Sequence, residues 1–93
     1  MVAEKKICDS LDAEDAGAFT NVTGCQHACM GRATMISFGR IDGTKCFENG
    51  TCRCYCERSA TANGTCEYSD HHDYDLYQIK NSTGKYYYSH FIV

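Results

Sequence analysis

Residues 46–66, CFENGTCRCYCERSATANGTC, constrain this chain more than any other stretch. Five of its eight cysteines lie there: Cys46, Cys52, Cys54, Cys56 and Cys66. In Cys52-Arg53-Cys54-Tyr55-Cys56 every second residue is a cysteine. Side chains alternate between faces along an extended strand, so three sulfurs would share one face, with Arg53 and Tyr55 on the other. That face can be cross-linked to separate parts of the chain. Cys8, Cys25 and Cys29 complete an even set, which can pair fully in many ways, and the spacing selects none of them.

The rival use of cysteine is metal. The spacing is C-x16-C-x3-C-x16-C-x5-C-x-C-x-C-x9-C, without the C-x2-C knuckle from which structural zinc sites are usually built. Dense C-x-C also marks metallothioneins, but those lack the seven Tyr and four Phe present here. Disulfides are therefore expected at all eight positions, with no metal and no other cofactor. A chain of 93 residues with two Leu and no Trp buries a modest core, and small domains of this kind depend on cross-links.

The compartment follows from a second feature. Four N-glycosylation sequons are present, at Asn21, Asn49, Asn63 and Asn81, none with Pro in the middle position. Together with eight cysteines they point to a secreted glycoprotein, since both features need the secretory pathway. Met1-Val2-Ala3 followed by Glu4-Lys5-Lys6 has no sustained apolar run, so a mature form without a signal peptide is expected. No apolar stretch is long enough to span a membrane. The formal charge of −3 has the wrong sign for general nucleic-acid binding. The expected partner is an extracellular protein, bound by a monomer, with neither nucleic acid nor membrane involved.

Taken in order, the chain begins with a polar lead-in to Cys8. Asp9, Asp12, Glu14 and Asp15 form an acidic run, read as a solvated face with at most two turns of helix before Gly17, or as a recognition arm for a basic partner. A short strand is expected at 19–22. Cys25 and Cys29, four residues apart, suit one face of a helical turn or a tight loop. Residues 33–41, 44–48 and 51–57 read as a three-stranded antiparallel meander, with Asp42-Gly43 and Asn49-Gly50 as its turns. Composition changes after Cys66. This divides the chain into a disulfide-framework β domain, 1–66, and an aromatic-rich segment, 67–93, packed on or extending from it. There 74–80 and 85–93 are predicted to form a C-terminal β-hairpin. Tyr is enriched at interface hot spots, so Tyr74, Tyr77, Tyr86, Tyr87, Tyr88 and Phe91 are the candidate partner-binding residues.

No nucleophile elbow, phosphate-binding loop or zinc-protease helix is present, and no enzyme activity or catalytic residue is assigned. His71-His72, among Asp70, Asp73 and Asp75, has the composition of a divalent-metal site, but is read as a solvated acidic loop and no metal ligand is assigned. Arg40, Lys45, Arg53 and Arg58 are the residues a protease-inhibiting loop would present; nothing marks one of them.

Cys8-x16-Cys25-x3-Cys29, followed by Gly43-Thr44-Lys45-Cys46-Phe47, resembles the opening of the eight-cysteine chemokine-binding evasins of tick saliva, as do the multiple sequons. After Cys46 the spacing departs from that class, with five residues before Cys52 where evasins carry a long insertion. The overall size, the C-x-C-rich centre from Cys46 to Cys66 and the aromatic C-terminal segment resemble the CirpT family of tick salivary complement inhibitors. That resemblance implies a small disulfide-rich β fold, a short antiparallel meander akin to the von Willebrand factor type C domain. It also implies a secreted tick protein that binds the fifth complement component and blocks its activation. The resemblance to evasins implies chemokine neutralisation instead, with 9–15 and 67–75 meeting a basic chemokine.

Overall fold

Period-two cysteines demand a strand, and residues 52–56 form one. A computed structural model describes residues 1–9 and 12–79. Its elements are β1 (Lys6–Cys8), β2 (Ala13–Phe19), α1 (Val22–Cys29), β3 (Met35–Gly39), β4 (Cys52–Glu57), β5 (Tyr68–Asp70) and β6 (Tyr74–Gln78). The main sheet has the order β2-β4-β3-β6 with every pair antiparallel, and β1 and β5 form a separate antiparallel pair. The described residues thus make a small β-rich domain with one short helix and four disulfides.

The helix is placed by a match of two repeats. Along a helix four residues rise roughly 6 Å, and along a strand two residues rise about 6.6 Å. Cys25 and Cys29 on α1 therefore stand opposite Cys54 and Cys56 on β4. The bonds are Cys25–Cys54 and Cys29–Cys56, with Cα separations of 5.6 and 5.4 Å. All four residues are fully buried, clustered with Ile36, Phe38 and Ile79. Asn21 starts the helix: its backbone is extended and its Oδ1 accepts the Gly24 N–H at 2.9 Å, the usual N-cap arrangement. The opposite face of the sheet carries Met35 and Leu76, packed with Cys8 as a second cluster. The Cys8–Cys66 bond brings together positions 58 residues apart in sequence, beside the β1–β5 pair.

Three expectations are corrected. Residues 44–48 form no strand; their one ladder contact is an isolated bridge between Cys46 and Cys52, which are also disulfide-bonded. The reason is that both sides of β4 are occupied, by β2 and by β3 directly. The two turn signals do form, as Gly43 N–H to Arg40 C=O and Gly50 N–H to Phe47 C=O bonds, but within one long loop between β3 and β4. The acidic segment is not a helix: Ala13–Phe19 is strand β2. Pairing with β4 and burial of Ala16 and Phe19 against the core outweigh its charge. A register shift between Asp15 and Gly17 interrupts the alternation, with Gly17 at φ 101° and its N–H held by Asp15 Oδ1 at 2.8 Å. Residues 19–22 are no separate strand, since Phe19 ends β2 and Val22 opens α1.

From 67 to 79 the chain stays within the frame. β5 pairs with β1 and β6 pairs with β3, and Leu76 and Ile79 are fully buried. The first strand of the expected C-terminal hairpin is β6; the second, at 85–93, lies outside the described residues. Gly43 is a close approach: a Cβ there would lie 2.9 Å from the Asp73 Cα and 2.8 Å from its Oδ1. Backbone cannot retreat as a flexible side chain does. Gly43→Ala is expected to destabilise the protein by about 1–2 kcal/mol, read as a lowered urea midpoint with unchanged slope.

Candidate binding surface

The loop after β3 builds a charged rim. Arg40 grips Asp42 with two bonds, Nε to Oδ1 at 2.9 Å and Nη2 to Oδ2 at 3.0 Å. Its Nη1 donates to Asp75 Oδ1 at 2.6 Å and lies 3.5 Å from Glu4 Oε2. The guanidinium holds the Asp42 carboxyl below the usual carboxylate range. Asp75 also accepts the Lys5 N–H at 2.9 Å. Lys5 has φ 58°, the one non-glycine residue with positive φ among those described.

Beside this rim runs a solvent-open groove of about 480 Å³. Val22, Phe38, Cys52 and Tyr77, all buried or half-buried, make its apolar floor. Arg40, Asp42, Asp75 and Glu4 stand over it, and Ile41 adjoins them with its side chain almost wholly exposed, at 92%. The volume lies within the roughly 300–1,000 Å³ range of ligand pockets.

Of the aromatic candidates, Tyr77 reaches this groove. Burial raises its hydroxyl above the usual phenol range. Tyr74 is only 3% exposed, edge-on to Tyr55 at 5.8 Å and to His71 at 4.9 Å, so it packs rather than presents a surface. Tyr86, Tyr87, Tyr88 and Phe91 lie outside the described residues. His71 turns its ring toward Tyr74, and its Nδ1 faces the Asp73 N–H at 3.4 Å. The described residues gather metal-type donors at Cys25, Cys29 and Cys54, whose sulfurs are already in disulfides. Of the four basic residues weighed for an inhibitory loop, Arg40 is spent on carboxylates and Arg53 pairs with Asp15 at 3.1 Å, over the Phe47 ring.

Three of the four sequon asparagines are described, and all three are exposed: Asn21, Asn49 and Asn63. Asn81 lies outside the described residues. Asn49 Oδ1 accepts both the Thr51 N–H at 3.1 Å and the Thr51 hydroxyl at 2.7 Å. Asn21 caps α1 through Oδ1, leaving its amide nitrogen for a glycan. The two roles separate by substitution. Asn21→Gln removes cap and sequon together and is expected to cost about 1 kcal/mol; Asn21→Ser removes the sequon, keeps a cap and should stay within a few tenths of wild type. Thermal melts of both variants, made without glycan, check this.

The groove itself draws on distant segments; sequence reading singles out Arg40, Asp75 and Tyr77 for separate reasons and does not bring them together. The one local sign was Ile41, a lone apolar residue between Arg40 and Asp42 at a turn. Comparison with protein-family models, curated proteins and solved structures gives no match to this chain.

Proposed function

We propose that the chain is a secreted, non-enzymatic binding protein that blocks a host extracellular protein by occupying part of its surface. The observation that carries this reading is complete pairing of all eight cysteines in a frame whose described sequon asparagines are all exposed. Both features suit the secretory pathway. A cross-linked frame also lowers the ordering cost of binding. On the resemblance to the CirpT inhibitors, the fold is akin to the von Willebrand factor type C domain and the target is the fifth complement component. The mechanism is then steric: the target is held away from its convertase, or held in its uncleaved conformation.

The acid-rimmed groove favours a second reading, chemokine capture, because chemokines are mostly basic. One experiment addresses both. Oxidised, glycosylated protein is used as bait in human serum, with mass-spectrometric identification and a chemokine panel in parallel. Capture of the fifth complement component without chemokines, followed by inhibition of haemolysis, is the expected result. Chemokines without complement would move the assignment to the second reading, and neither would overturn the binding reading for these targets.

A further inference from the structure

We infer that the groove between Val22, Phe38 and Tyr77 takes an extended, lysine- or arginine-bearing segment of a protein partner, with an apolar side chain on the floor and the cation at the rim. This rests on the binding-protein reading and names the surface and partner chemistry within it. Three carboxylates, Glu4, Asp42 and Asp75, share the single guanidinium of the lining, Arg40. That guanidinium is 12% exposed and committed to Asp42 and Asp75, so it organises the acids and presents little positive surface of its own. The side chains of Glu4 and Asp42 are 61% exposed. A cation arriving from solvent therefore meets carboxylate oxygens first.

The acids of β2 differ. Glu14 and Asp15 have cations of their own, Arg32 at 3.4 Å and Arg53 at 3.1 Å, and neither lines the groove. Over the groove the apolar element is also present. The buried Phe38 and half-buried Tyr77 and Val22 offer a floor, and Ile41 adds an exposed flank. An alternating apolar and basic strand satisfies both requirements, because its successive side chains point to opposite sides. Lys5 is the cation that competes. It lies outside the lining, but its charge acts on Asp42.

The test uses oxidised, unglycosylated full-length protein, because the sequon at Asn21 adjoins the lining residues Thr20 and Val22. The probe is a capped peptide of alternating lysine and leucine. Its controls are an alternating glutamate–leucine peptide and a lysine–glycine peptide. Amide shifts in the NMR spectrum should move at 38–42 and 75–77 with the lysine–leucine peptide, weakly with lysine–glycine and not at all with glutamate–leucine. The double variant Glu4→Lys/Ile41→Ser changes two exposed side chains and should keep the fold while weakening the peptide at least tenfold. Lys5→Asn, suited to a positive φ, should tighten it several-fold. Shifts centred on β2, or unchanged affinity in the double variant, would overturn the inference. The same double variant is then used as serum bait. If it captures the wild-type partner undiminished, the groove is not the site while the binding reading stands. If wild-type protein captures nothing, that reading fails, and the peptide map still decides the groove.

Discussion

Replacing Cys29 and Cys56 together with alanine is expected to cost about 3–4 kcal/mol and to leave most of the protein unfolded near about 37 °C. The same operation on Cys46 and Cys52 should cost only about 2 kcal/mol. Two causes separate them. The first bond closes a sequence separation of 27 residues and the second one of 6, and the unfolded chain gains more freedom when the longer loop is released. The second cause is location. Cys29 and Cys56 are fully buried among Ile36, Phe38 and Ile79, whereas Cys46 is half-buried at the mouth of a loop. An eight-residue helix has little stability of its own, so α1 depends on these bonds to stay on the sheet. Urea unfolding of the oxidised variants gives the comparison. A Cys46/Cys52 variant less stable than the Cys29/Cys56 variant would show that the frame is not held chiefly between helix and strand.

Those same residues explain what was legible in advance. The strand at 52–56 followed from period two alone, and the helical turn at 25–29 was one of two readings of its spacing. The pairing between them was encoded as well, in the match of four helical residues to two strand residues, but it emerges only when both elements are fixed together. β2 was hidden because Asp12, Glu14 and Asp15 read as solvent-facing and the irregularity before Gly17 breaks the alternation that would have revealed Ala16 and Phe19. The middle strand of the meander failed because β3 pairs directly with β4, along the edge that 44–48 would have used, and leaves it only the Cys46–Cys52 bridge at one end. The groove was invisible for a non-local reason. Its parts come from residue 4, from 20–22, from 38–42 and from 52 and 75–77, and no window contains two of its walls. Tyr74 shows the converse, a residue whose type suggested a contact surface while its place in β6 put it under Tyr55 and His71.

Glu57→Gln is expected to change the pH dependence of stability, and Glu57→Ala to cost about 2–4 kcal/mol at low pH, where wild-type Glu57 is protonated, and less as pH rises. Glu57 ends β4 on the same face as Tyr55, where its side chain is fully buried. Ser37 donates its hydroxyl to Oε2, the Cys8 backbone N–H faces the carboxyl, and Oε1 has no hydrogen-bond partner. Burial disfavours the charged form and raises the carboxyl above the usual glutamate range, against the smaller opposing effect of the Ser37 and Cys8 donors. The fold thus prefers protonated Glu57. Its contribution is complete below the unfolded-state value, about pH 4–5, and is lost as pH rises through the folded-state value. Asp42, Asp70 and Asp73 act with the opposite sign: each is held low in the fold, by Arg40, Lys6 and the Thr44 N–H respectively, so their contribution is lost as pH falls. Comparing Glu57→Gln with wild type cancels those aspartates. The variant should gain on wild type progressively over the window that opens at about pH 4.5 and runs upward through the raised folded-state titration. Glu57→Ala keeps no acceptor for Ser37 and opens a cavity, which separates loss of packing from loss of charge. Parallel stability profiles for wild type and Glu57→Gln across that window would mean that the ionised carboxylate is accommodated without cost, and that Oε1 finds a partner in solution.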